Sequence, residues 1–353
     1  MTARDIDVAV AEPIVTRLPD GRHLVVRAAT AADVDGLVAL YAGLDDDDTH
    51  RRFFSMFRPD RSFFERLAAA GEHGGDEIVV TVAPADGDGP EQIVAEAGYR
   101  VVAGGDGELA MAVARPWRGW LGPYLFGILR RRAAAHGVRN LRAEVLATNR
   151  PMVAVLSRPG SARLDDDDYA IVRLLIGTSG PTPTWPAGGA RRRLLVEVPG
   201  GRWHGTAAAR AAGFDVITCC GPRGEPARCP ALHGERCPLV TDADVVVIHP
   251  RDDEQWRALA TAHETVHAGI PILVETGGGE DVLAAIQALL GGATSDHSAP
   301  AASVSTYPRE IGGRSTQNDD ENTPGGIVDD EVMPDVLPSV PARLPVAVQL
   351  PHR

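Results

Sequence analysis

The four cysteines lie close together, between Cys219 and Cys237 in the string CCGPRGEPARCPALHGERCPL. Cys219, Cys220, Cys229 and Cys237 are accompanied by His233, which lies between the last two, and by His204 upstream. Four thiolates, or three and an imidazole, suit tetrahedral zinc. No C-x-x-C pair is present, however, so the spacing selects no metal site and no metal is expected. A redox pair is a second chemistry for these thiols. The leading reading is a structural loop whose partly buried cysteines act as small apolar groups. The glycines of PGGRWHG (Gly200, Gly201, Gly205) lack the G-x-G-x-x-G spacing of a dinucleotide fingerprint. Phe53, Phe54, Phe63 and Phe64 are four of the chain's seven phenylalanines. Phenylalanine is usually buried, so they are expected in a core or lining a pocket wall.

Two successive patterns must position these groups. Residues 1–20 read as an extension, followed by a strand at His23 to Arg27. A helix follows with Val34, Leu37, Val38 and Tyr41 on one face, and the acidic run Asp45 to Asp48 breaks it. A second helical stretch carries the phenylalanines and Leu67. Three strands in a meander are expected at Glu77 to Val82, Gln92 to Val102 and Glu108 to Ala114, separated by the turn strings ADGDGP and GGDG. A helix from Leu121 to Ala135 stops at Gly137. A strand at Leu141 to Leu146 precedes Asn149, which reads as the N-cap of a short helix, and Tyr169 to Ile176 is a further strand. Residues 178–190 read as a linker. From Arg191 to residue 292, apolar strands alternate with helices, which implies a small α/β domain with a mainly parallel sheet, in flavodoxin-like strand order. Residues 293–353 are rich in Ser, Thr, Pro, Asn, Asp and Gly and are expected to form a disordered tail.

The formal charge of −13 argues against a nucleic-acid partner, which would need a basic surface. No apolar run approaches membrane-spanning length, and the N-terminus shows no apolar leader. A cytoplasmic protein without a membrane partner is expected, and the few, local cysteines fit a reducing compartment.

The element order of residues 21–177 resembles the GNAT acetyltransferase fold, and specific strings carry the resemblance further. GELAMAVARPWRGWLGPYLFGILRRRAAAHG is similar to that family's fourth strand, pyrophosphate loop and third helix. LRAEVLATNRPMVAVLSRPG is similar to its fifth strand and the helix after it, while Arg51, Arg52, Phe53 and Phe54 resemble helix two of the actinobacterial protein-lysine acetyltransferase subgroup. The resemblance implies a mixed sheet with flanking helices and transfer of an acetyl group from acetyl-CoA to an amine, either a protein lysine or a small molecule. It implies Glu108 as general base. It further implies a cofactor site at Val113, Arg118, Gly119, Trp120, Leu121, Gly122 and Asn149, in which backbone N–H groups at a helix N-terminus hold the pyrophosphate.

The chain departs from the family pattern in that loop. Trp117 to Gly122 is one residue and one glycine short, and Pro123 removes an N–H. The tyrosine that many members use as general acid has no counterpart, Ser157 being the nearest hydroxyl. A second expectation follows, in which the domain binds acyl-CoA as a sensor or interaction module without catalysis.

Overall fold

The computed structural model describes residues 13–292, except 84–90, 158–159, 165–168, 181, 199–201, 220–228, 250–252 and 276–279, together with Ala347 and Val348. The tail expected from residue 293 onward lies outside the described residues apart from those last two.

The first half is a mixed sheet between two groups of helices, the α/β arrangement expected from its element order. Strands β2 (His23–Ala28), β3 (Asp76–Val82), β4 (Gln92–Val101) and β5 (Gly107–Val113) run antiparallel in sequence order. β6 (Asn140–Leu146) lies parallel to β5, and β8 (Ile171–Gly177) returns antiparallel along β6. The alternation of each strand sends successive side chains to opposite faces. Ile78, Val80, Leu109, Met111 and Val113 pack under α4 (Leu121–Ala135) and α5 (Arg150–Ser157). Val79, Ile93 and Ala112 pack under α1 (Val34–Ala42), α2 (Asp46–Phe53) and α3 (Arg61–Ala68).

Two strands of this half carry no strong sequence pattern. β1 (Ile14–Arg17) pairs with β2, although this stretch reads as part of an extension. β7 (Ser161–Arg163) pairs with β8 on one side. α1 ends earlier than the acidic run, at Ala42 with Gly43 as its cap, and the run instead starts α2, where Asp45 accepts from the Asp48 backbone N–H at 2.8 Å. Asp46, Asp47 and Asp48 occupy the first turn, where the helix dipole favours negative charge.

The second half is a parallel sheet of β9 (Arg192–Glu197), β10 (Phe214–Cys219), β11 (Val245–Ile248) and β12 (Ile272–Val274) in the order β10-β9-β11-β12. Apolar clusters cover both of its faces, as a parallel sheet requires. The sheet does not stop at residues 178–190. β7 also pairs antiparallel with β10, through Thr218 with Arg163 and Cys219 with Ala162, so one hydrogen-bonded sheet runs through both halves. Trp185 lies buried in the second half's core and donates from Nε1 to the Leu239 carbonyl at 2.7 Å.

Leu129, fully buried on the sheet-facing side of α4, tests this packing. Leu129→Ala is expected to lower unfolding free energy by about 2–5 kcal/mol, from lost burial plus the cavity left behind. A denaturant titration checks it; a loss below about 1 kcal/mol would show that α4 is not packed as described.

Candidate active site

β5 and β6 form a V. They pair only at Gly107 with Leu141 and at Glu108 with Arg142, although β5 continues to Val113 and β6 to Leu146. Each keeps its outer neighbour along its length, β4 for β5 and β8 for β6, so the inner edges separate beyond Glu108. The backbone of Ala347 and Val348 pairs antiparallel with Ala112 and Met111 on this edge of β5.

At the open end of the V the chain makes a turn at Arg115–Trp117, passes through Gly119 and enters α4 at Leu121. Gly119 has φ +98°, a conformation that side chains rarely tolerate. Among the described residues, no side chain caps α4. Its first backbone N–H groups are therefore available at the mouth of the V, where the helix dipole adds positive potential. Trp120 is about half exposed beside them, while Leu121 and Gly122 are buried. Pro123 occupies the first turn, where its missing N–H costs little.

Asn149 stands at the end of the other arm. Its Oδ1 accepts from the Met152 backbone N–H at 3.4 Å at the start of α5, and its Nδ2 is buried with no partner among the described residues. Val113 ends β5, fully buried. Its carbonyl accepts from Arg118 Nε at 2.9 Å, and Arg118 Nη2 bonds Asp48 Oδ2 at 2.6 Å. Arg118 thus ties the turn to β5 and α2, with its side chain only 7% exposed.

Glu108 sits where the V begins to open. Its Oε2 accepts from Arg100 Nη2 at 3.0 Å. Burial pushes its carboxyl above the usual range, and the Arg100 guanidinium opposes that rise.

On the helix-facing side of the sheet, the register aligns Glu77, Gly98 and Ala110 in one row across β3, β4 and β5. The two small residues leave a cavity of about 370 Å³ above the sheet, walled by Phe53, Phe57, Phe63 and Leu67. The expectation of a core or a pocket wall holds for Phe53, Phe63 and Phe64, with Phe53 and Phe64 buried in the core on this face, whereas Phe54 is half-buried and belongs to neither. The Glu77 carboxylate lies across Gly98, with Oε2 only 1.9 Å from where a Cβ would stand. Beneath it, Tyr41 Oη donates to Glu96 Oε1 at 2.6 Å, Arg52 Nε donates to Tyr41 Oη at 2.9 Å, and Arg52 Nη2 is 3.6 Å from Glu96. Burial first, and Glu96 second, push the Glu77 carboxyl well above its usual range. The sequence reading assigned no role to Glu77, Glu96 or Tyr41. The available signal was two carboxylates within otherwise apolar strands, EIVVTV and IVAEAGY.

No protein-family model matches the chain. Among solved structures, the chain is similar to the GNAT domain of PAT from S. lividans, at 22% identity over 47% of this chain and 96% of that one, with a TM-score of 0.41. It is also similar to a ribosomal-protein-alanine N-acetyltransferase from Brucella melitensis, at 22% identity over 43% of this chain and 98% of that one, with a TM-score of 0.33. A cAMP-binding acyltransferase from Mycobacterium smegmatis matches at 24% identity over 51% of each chain, with a TM-score of 0.33.

The cysteines lie in the second half of the chain. Cys219 and Cys229 are half-buried, Cys237 is buried, and all three pack in or against one apolar cluster. Burial pushes the Cys237 thiol up to about 12. Cys220 lies outside the described residues. Among the described residues, no group of three or more His, Cys, Asp or Glu side chains is arranged to hold a metal ion. None of the described helices is long and apolar enough to cross a membrane.

Proposed function

We propose that the chain transfers an acyl group, acetyl in the first instance, from acetyl-CoA to an amine. One observation carries this reading: the inner edge of β5 opens away from β6 just beyond Glu108, and the V ends at the uncapped N-terminus of α4. A thioester on a long polar arm with a pyrophosphate at its far end needs these two features together.

The residues present fit such a substrate. Backbone N–H groups from Gly119 to Gly122 face an anion with the α4 dipole behind them. The unpartnered Asn149 Nδ2 is a buried donor that a polar group of the arm would satisfy. The edge of β5 up to Val113 offers strand-like hydrogen bonds to an extended chain. Ala347 and Val348 use this same edge at Met111 and Ala112, so substrate and C-terminal strand exclude each other there. Arg118 acts from within the fold, holding the turn through Asp48 and Val113, rather than touching phosphate.

In the transfer step the amine nitrogen bonds to the acyl carbon as the carbon–sulfur bond breaks. Glu108 accepts the proton that the nitrogen loses, and sulfur departs as a thiolate. An alkyl thiol has a pKa of about 8.5, so the departure does not depend on a dedicated acid. The absence of a tyrosine in α5 is compatible with this chemistry.

A second reading, acyl-CoA binding without catalysis, draws on the shortened loop. Acetyl-CoA titration by calorimetry together with thiol release in the presence of mixed amines decides between the two. Binding with release supports the enzyme, binding alone supports the sensor, and no binding removes both. The loop itself gives a sharper expectation. It is braced by Arg118, so a glycine inserted between Trp120 and Leu121 would displace the α4 N-terminus from its present position. Acetyl-CoA affinity is expected to fall roughly tenfold or more, the loss of one charge-assisted hydrogen bond. A gain in affinity would show that the native loop is merely incomplete.

A further inference from the structure

We infer that the aromatic cavity beside Glu108 is an acceptor pocket for a short linear diamine, whose far ammonium group sits against Glu77 while its near amine meets the acyl group. This inference rests on the acyl-transfer reading above and names the acceptor class for the same site.

The floor of the cavity is short of one positive charge. Glu77 and Glu96 supply two carboxylates, and among the described residues Arg52 is the one guanidinium paired with them, at 3.6 Å from Glu96. Glu77 Oε1 and Glu96 Oε2 are buried without a hydrogen-bond partner among the described residues, as are Nη1 and Nη2 of Arg52, so the cluster is not closed by its own groups. The remaining charged neighbours do not close the gap. Asp76, on β3, is turned to the opposite face and matched by Arg132 of α4 at 2.6 Å. Tyr41 of α1 donates its proton to Glu96. A buried site tolerates an uncompensated charge poorly, so in the empty cavity a proton on Glu77 neutralises the cluster. A ligand ammonium can replace that proton, keeping the cluster neutral and giving Glu77, the carboxylate that lines the cavity, a donor.

The walls and the rim define the rest of the ligand. Phe53, Phe57, Phe63 and Leu67 present an apolar surface suited to a methylene chain, and aromatic faces also favour a cation. The Glu77 carboxylate lies over β4, and the open edge is beyond β5. With strands about 4.8 Å apart, these two ends are roughly 5–10 Å from each other. Roughly four to six methylene groups span that distance at ordinary C–C bond lengths. Arg66, His73 and Arg100 stand at the rim, so a long polycation trailing out of the cavity is disfavoured. One charged end and one neutral, attacking end is the pattern that remains.

Calorimetry on the full chain with 1,5-diaminopentane, in two buffers of different ionisation enthalpy, tests the floor. About two protons are expected to be released for each diamine bound, one from Glu77 as the far ammonium displaces it and one from the near ammonium, which binds as the neutral amine. In Glu77→Gln, release should fall by about one proton and binding should weaken roughly tenfold or more. Because that variant can also fold poorly, wild-type protein with acetyl-CoA provides an independent test. 1,5-Diaminopentane should be acetylated with kcat/KM at least about tenfold above that of n-pentylamine, whose only nitrogen is held at the floor. Equal acetylation of the two amines, or a proton release on diamine binding that Glu77→Gln leaves unchanged, overturns the diamine pocket while leaving acyl transfer intact. Diamine binding with Glu77-dependent proton release but no acetylation of any amine supports the pocket and overturns the transfer reading instead.

Discussion

Replacing Glu108 by Gln is expected to lower the acyl-transfer rate by roughly 10²- to 10⁴-fold, the range typical of a lost general base, with acetyl-CoA affinity little changed. Glutamine keeps the size of the side chain and can still meet Arg100, but it cannot accept the amine's proton. The pH profile gives a second readout of the same group. Burial raises the Glu108 carboxyl above its usual range, so activity should fall as pH drops through that raised value, where the carboxylate becomes protonated and can no longer act as a base. Removing the opposing cation with Arg100→Met should move this acidic limb upward, because the guanidinium now holds the carboxyl down. A Glu108→Gln rate within about threefold of wild type would reduce Glu108 to an ordinary strand-end carboxylate. Steady-state thiol release across pH measures all of these.

Arg118→Met is expected to cost about 3–5 kcal/mol of stability, the usual penalty for removing one partner of a buried ion pair. Both members of the Arg118–Asp48 pair are almost fully enclosed, with side chains 7% and 4% exposed. Asp48 Oδ1 is already without a hydrogen-bond partner, so losing Arg118 would strand the whole carboxylate. The same substitution removes the bond to the Val113 carbonyl and loosens the turn that leads into α4. Denaturant unfolding measures the cost, and the double variant Asp48→Asn with Arg118→Met should recover much of it, since no buried charge then remains. A single-variant loss under about 1 kcal/mol would mean that Arg118 is free to turn outward.

Much of this protein was legible from local patterns alone. The meander of β3, β4 and β5, the start of α4 at Leu121 and its end at Ala135, and Asn149 as a cap all follow from periodicity, turn residues and capping chemistry acting over a few positions. Glu108, by contrast, was named only through the family resemblance that GELAMAV carries, and it lies near the start of β5. The tertiary structure decided which residues meet across long separations. Arg118 reaches Asp48 70 positions away, and Tyr41 reaches Glu96 across 55. Nothing local distinguishes an arginine that will face phosphate from one that will be buried against an aspartate. That choice depends on which elements close over it and on the cost of leaving either charge alone. The opening between β5 and β6 is likewise invisible in either strand's sequence, because it is a shortfall of pairing between two strands that each satisfy their outer neighbours. The short strand β7, only three residues long, carries the sheet from β8 to β10, a link set by hydrogen-bond register between distant segments and by no pattern of its own.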